Sequence, residues 1–229
     1  MFVFGMTGAA NANLIVNGSF EDPNIESGWQ VFDSISGWKT TLGTGIEIQY
    51  NGVIPGVTAH AGNQYVELDS HGGDDTNSTM VQSIDTILGQ TYDVSFAYRN
   101  RPGTTLAQNG IEIYWNGSLE YFIGDINDDA YDYYETANHY INNTNDFYNW
   151  QVLTFSVKGE ALYTGLDSFG NTLVGYDNLS FSAIGTDDTL GGFVDSVSMD
   201  VPEPATMLLF GTGLIGLVGL QRRRKSNKV

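Results

Sequence analysis

The chain has 229 residues, with 27 acidic against nine basic side chains, a formal net charge of −18 and no cysteine. That charge balance repels phosphate backbones and excludes nucleic acid as a partner. The missing cysteine excludes zinc fingers, thiol redox chemistry and cysteine nucleophiles, and leaves stability to a hydrophobic core and to any bound metal.

Residues 1–12 are weakly apolar and end in Ala10-Asn11-Ala12, an A-x-A-like cleavage site. They read as the remnant of a signal peptide whose start lies upstream; the alternative is an edge strand. Residues 13–200 are one domain by length and long enough for a substantial core. Up to Val201 the basic residues are Lys39, Arg99, Arg101 and Lys158, four against 26 acidic ones, a net charge of −22. Such a surface also repels anionic lipid, and it favours cations.

The body reads as strands throughout. Ile46, Ile48 and Tyr50 alternate with Glu47 and Gln49; Tyr92, Val94, Phe96 and Tyr98 alternate with Thr91, Asp93, Ser95 and Ala97. Ile111, Ile113 and Trp115 alternate with Glu112 and Tyr114, and Leu153, Phe155 and Val157 alternate with Thr154 and Ser156. A two-residue period is the mark of a half-buried strand. Shorter runs at 64–68, 79–84, 179–184 and 193–199 predict further strands. Asn51-Gly52 and Asn116-Gly117 are hairpin-turn dipeptides, because both central residues of a type I′ turn need positive φ. No helical period competes, so the expected fold is an all-β sandwich.

Residues 118–149 hold Tyr121, Phe122, Tyr131, Tyr133, Tyr134, Tyr140, Phe147 and Tyr148 among many Asp and Asn. Long loops in compact domains are often functional. Tyrosine offers a flat face to a sugar ring, and amides and carboxylates meet its hydroxyls. Tyr131, Tyr133, Tyr134, Tyr140 and Trp115 are therefore the candidate ligand contacts, with a loop that covers an open core edge as the alternative. Asp125 to Asp129 fails as an EF-hand, since Ala130 and Thr136 stand where Gly and Glu are needed. No G-x-S-x-G elbow or H-E-x-x-H pair occurs, and the body is expected not to be an enzyme.

Asn13 to Glu21 (NLIVNGSFE), Gly37-Trp38, Gly62 to Asp69, Gly89 to Phe96, Trp150 and Gly191 to Ser198 follow one another in an order similar to the galactose-binding-like jelly rolls, which include calcium-containing carbohydrate-binding modules. The resemblance implies a jelly-roll β-sandwich with a structural calcium that clamps the first and last strands. Its matching positions are Glu21 and Asp195, with Asn63 as a further ligand. Calcium takes about six to eight oxygens, which carboxylates and main-chain carbonyls from both chain ends can supply. The alternative is that Glu21 and Asp195 only accept turn N–H bonds.

The tail begins with Pro202-Glu203-Pro204, continues with the uncharged run 205–220 and closes with basic residues in 222–228. As a helix the run spans roughly 24 Å, a little short of the ~30 Å hydrocarbon core. Gly211, Gly213, Gly216 and Gly219 weaken a soluble helix but are common in membrane spans, and a basic cluster after the run belongs on the cytoplasmic side. The three parts resemble the PEP-CTERM sorting signal of Gram-negative bacteria over residues 201–229. That resemblance implies a single hydrophobic C-terminal helix, an exosortase partner acting near Pro202, Glu203 and Pro204, and an inner-membrane intermediate before release to the cell surface or biofilm matrix. The expected function is binding of extracellular polysaccharide; the alternatives are a structural or adhesive matrix role without a sugar ligand and, less favoured, a glycan-cleaving enzyme.

Overall fold

The computed structural model describes residues 13–73, 76–105, 108–124, 138–141, 147–161 and 175–202. The described residues up to Asp200 belong to one compact unit. Among the described residues every regular element is a strand.

Two sheets make the sandwich. Sheet one runs in the order β1 (Trp29–Phe32), β4 (Ile46–Tyr50), β5 (Gln64–Glu67), β13 (Phe193–Asp200), β7 (Thr91–Arg99), β11 (Gln151–Lys158). Sheet two runs β10 (His139–Ile141), β9 (Ser118–Ile123), β8 (Ile111–Trp115), β12 (Gly175–Ala183), β6 (Thr79–Thr86), β3 (Trp38–Leu42), β2 (Ser34–Ile35). All these pairings are antiparallel except β9 with β10. From β5 to β8, and again from β11 to β13, the chain alternates between sheets, the crossing pattern of a jelly roll.

All eight predicted strands are present, because each has one face to bury. On β7, Tyr92, Val94, Phe96 and Tyr98 point inward and are essentially inaccessible. Their partners Val157, Phe155 and Leu153 on β11 extend the same layer. Phe96 meets Phe181 of β12 edge-on at 5.4 Å, and Phe181 meets Trp38 of β3, which meets Phe20. This aromatic chain joins the two sheets, and such pairs add to the area they bury.

Asn116-Gly117 forms the expected two-residue hairpin, with φ of 50° and 81° between Trp115 and its partner Ser118. Asn51-Gly52 does not. Its segment opens into a longer excursion before β5, because the Asn51 side-chain oxygen takes the Ala59 N–H at 2.6 Å and its own N–H goes to the Asn63 carbonyl. The hairpin expectation is corrected there: the asparagine caps a long loop instead of forming a tight turn.

The described residues contain no helix long and apolar enough to cross a membrane. The hydrophobic segment 205–220 and the basic tail lie outside them.

Candidate binding face on sheet one

The register of sheet one lines up two rows on its outer face. Trp29, Gln49 and Tyr65 form one row across β1, β4 and β5. Val31, Glu47, Glu67, Phe193 and Arg99 form the other across β1, β4, β5, β13 and β7. Alternation assigns these positions to solvent, yet Glu47, Gln49, Tyr65, Glu67 and Phe193 are buried. The residues that bury them come from distant loops.

The carboxylates are fully paired. Arg101 Nη1 donates to both oxygens of Glu67, at 2.5 and 2.6 Å, and Gly191 N–H adds a third bond at 2.7 Å. Gln49 Nε2 bridges Glu67 and Glu47, and Tyr65 donates to Gln49 Oε1. His71 caps Glu47 with its main-chain N–H and its ring Nδ1, both at 2.8 Å. Burial pushes the Glu67 carboxyl well above the usual carboxylate range; Arg101 opposes that shift and Glu47 adds to it. Burial also raises the Tyr65 phenol, with Glu67 adding to the shift.

Over this polar floor stands an open aromatic plate. Trp29 stacks on the His71 ring with centroids 4.6 Å apart and is 48% exposed. A half-exposed indole held rigidly from below offers a flat apolar face of the kind on which a sugar ring stacks, while the buried Glu47, Gln49 and Glu67 fix its support without reaching solvent. Further along the face, Tyr65, Phe193 and Trp150 enclose Val57, which the loop before β5 lowers onto them.

Glu21 and Asp195 come together at the end of this face. A bulge in β13, with Ser196 at φ 51°, aims Asp195 at the loop, where its Oδ2 accepts from His60 N at 2.7 Å and Ala61 N at 2.9 Å. Glu21 Oε1 accepts from the N–H groups of Asn63 and Gln64, both at 2.8 Å. Burial is the main reason the Asp195 carboxyl is pushed up to about 7; three N–H bonds oppose the shift and the charge of Glu21 adds to it. Two neighbouring carboxylates from the first motif and the last strand fit a divalent cation in charge and in oxygen chemistry. Among the described residues no grouping of three or more acidic, His or Cys side chains could hold a metal, so main-chain carbonyls would have to complete a calcium shell. Asn63 meets Glu21 through its main-chain N–H, while its side-chain oxygen accepts from Asn51.

The aromatic candidates fall elsewhere. Tyr131, Tyr133 and Tyr134 lie outside the described residues. Tyr140 sits on the edge strand β10 of sheet two, stacked on Phe122 at 5.5 Å. Trp115 is 2% exposed, and its indole N–H donates to the Lys158 carbonyl, so it packs in the core and offers no face to a ligand. Of the sorting triplet only Pro202 is described. Glu47, Glu67, Arg101 and His71 were not singled out by the sequence, and Trp29, which residue type alone leaves between a glycan face and the core, proves to be half-exposed.

The strand β13 runs to Asp200, and the tail follows it directly. Residues 200–225 match the PEP-CTERM protein-sorting motif. The chain therefore ends in a sorting signal. Comparison with curated proteins gives no match. Among solved structures, the chain is similar to a cyclase from Fischerella sp. TAU (TM-score 0.51, 16% identity, covering 83% of this chain and 96% of that one). It is also similar to the Stig cyclase Fisc from the same organism, solved with an indole ligand (TM-score 0.50, 15% identity, 83% and 97%). The CBM22-1 xylan-binding domain of Paenibacillus barcinonensis Xyn10C matches with a TM-score of 0.40 and 12% identity over 86% of this chain and 98% of that one. The likeness to the two cyclases is one of fold alone.

Proposed function

We propose that this is an exported protein, delivered through its C-terminal motif to an exosortase-type enzyme at the inner membrane of a Gram-negative bacterium and passed to the cell surface or matrix. There its β-sandwich binds an extracellular polysaccharide. The observation that carries the binding assignment is the half-exposed Trp29, stacked on His71 above the Glu47–Gln49–Glu67 floor. The same floor favours a binding protein over a glycan-cleaving enzyme. Both glutamates are inaccessible, Glu67 is clamped by Arg101 and Glu47 by His71, so neither presents a carboxyl to a substrate. In this reading calcium held by Glu21 and Asp195 is structural: it neutralises the pair and fastens the opening motif to the last strand.

The test is binding of the full-length chain to a glycan array and to purified matrix polysaccharide. Replacing Trp29 by Ala is expected to weaken binding at least tenfold while the melting temperature stays within a few degrees, because the indole is half-exposed. Unaltered binding in that variant moves the site off this face. Ordered self-association with no sugar bound would replace the lectin-like reading by a purely structural matrix role.

A further inference from the structure

Both arginines of the strongly acidic body lie on the outer face of sheet one, but they are not equivalent. Arg101 is neutralised by Glu67. Arg99 is 9% exposed and has no carboxylate within ion-pair distance among the described residues. Its Nη2 donates to the Gly56 carbonyl at 3.1 Å, and its Nε is buried with no hydrogen-bond partner. That leaves one buried donor of the guanidinium without an acceptor: its fork suits two parallel carboxylate oxygens, and the edge carrying Nε and Nη2 receives them side-on. Desolvation accordingly lowers the Arg99 pKa.

The carbonyl that meets Arg99 belongs to a segment tied mainly to itself. Val53 N–H bonds to Tyr50 O, Val57 N–H to Ile54 O and Gly52 N–H to Val57 O. The segment 53–58 is fastened to neighbouring side chains by the Gly56–Arg99 bond and by Trp150 Nε1 donating to Thr58 O at 2.7 Å. Gly52 and Gly56 have φ near +80° and open space where a Cβ would stand, so the turn is not wedged in place. Its buried apolar anchor is Val57, set among Tyr65, Phe193 and Trp150, with the partly buried Ile54 packed alongside. Tyr65 and Phe193 meet edge-on at 4.9 Å, and Tyr65 meets Trp150 at 6.0 Å.

We propose that Arg99 and the aromatic floor of Tyr65, Phe193 and Trp150 form a subsite for an acidic sugar, and that residues 53–58 stand in it as a displaceable plug. The carboxylate of a uronate residue replaces the Gly56 carbonyl and pairs with both Nε and Nη2; the sugar ring replaces Val57 on the aromatic floor. A buried guanidinium that, among the described residues, has no carboxylate partner favours an anionic guest even in a domain of net negative charge, because the field is local. This assignment rests on reading the face as polysaccharide-binding and names the class of sugar.

Titration calorimetry of the full-length chain against uronate polymers (polygalacturonate, alginate, hyaluronan) and their carboxyl-reduced counterparts tests it. At least one acidic polymer is expected to bind ten times or more tighter than its reduced form. Arg99→Gln is expected to erase that difference and leave binding of the reduced polymer intact. Val57→Ala, which loosens the plug, is expected to raise affinity for the acidic polymer several-fold, since the open state becomes more populated. Equal binding of acidic and reduced polymers, or a Val57→Ala variant that binds more weakly, overturns the acidic-sugar subsite while leaving the polysaccharide reading in place. Binding of neither form also overturns the acidic-sugar subsite, and the glycan array then decides the polysaccharide reading separately.

Discussion

The carboxyl of Asp195 makes the stability of this domain depend on pH in an unusual direction. In the fold its pKa rises from an ordinary 3.8 to about 7. A raised carboxyl stabilises the fold in its protonated form: the benefit is complete below the unfolded value and is lost as pH rises through the folded one. At about 1.36 kcal/mol per unit, the shift corresponds to about 4 kcal/mol lost between pH 4 and pH 8 in the absence of metal. For a domain of this size that is on the order of 10 °C in melting temperature. Glu67 is pushed up as well and acts in the same direction, so the Asp195 share is isolated by comparing the wild type with Asp195→Asn. The assay is a calorimetric melt of the full-length chain from pH 5 to pH 8.5 in EDTA. The wild type should lose melting temperature as pH rises, and the variant should lose markedly less. Calcium, by favouring the ionised pair of Glu21 and Asp195, should restore the wild type at pH 8 and leave the variant where it is. Equal slopes in the two proteins would refute the argument about Asp195, and a pH 8 melt indifferent to calcium would remove the metal clamp.

Two further outcomes follow from the packing. Arg101→Ala leaves Glu67 buried without its cation, and urea denaturation near pH 7 should show a loss of about 3–5 kcal/mol, less at low pH where Glu67 is protonated. Gly18→Ala should cost several kcal/mol by the same measurement, because an added Cβ would stand 1.9 Å from the Val197 carbonyl oxygen, where the opening motif lies against the last strand; a variant as stable as wild type would contradict that close approach.

The strands were legible because their apolar faces alternate. β7, β8 and β11 each carry three or four inward residues in strict period two, and neighbouring sheets bury them as expected. β1 and β2 were not legible: they are short and largely exposed, and WQVF and SI give no clear face. The binding face was hidden for a different reason. Glu47, Gln49 and Glu67 occupy the positions that alternation gives to water, and only Arg101, Gly191, His71 and the loop 51–59 turn them into a buried network. Those partners are remote in sequence, so no local window contains the signal. The meeting of Glu21 and Asp195 was legible from motif order, which preserves the juxtaposition of opening motif and last strand that periodicity cannot express. Trp29 and Trp115 show the limit of residue type alone: the same side chain is an open plate on an edge strand and a core filler under a hairpin.

The last strand among the described residues, β13, is an interior strand of sheet one, between β5 and β7. Until residue 200 is available β5 is paired only with β4 and β7 only with β11, the sheet is split between them, and Val94 and Tyr98 lack the Met199 and Val194 that face them in register. The sorting motif begins where this keystone strand ends. Completion of the fold and presentation of the address are thus one event along the chain, and a polypeptide that stops early has neither a closed sheet nor a destination.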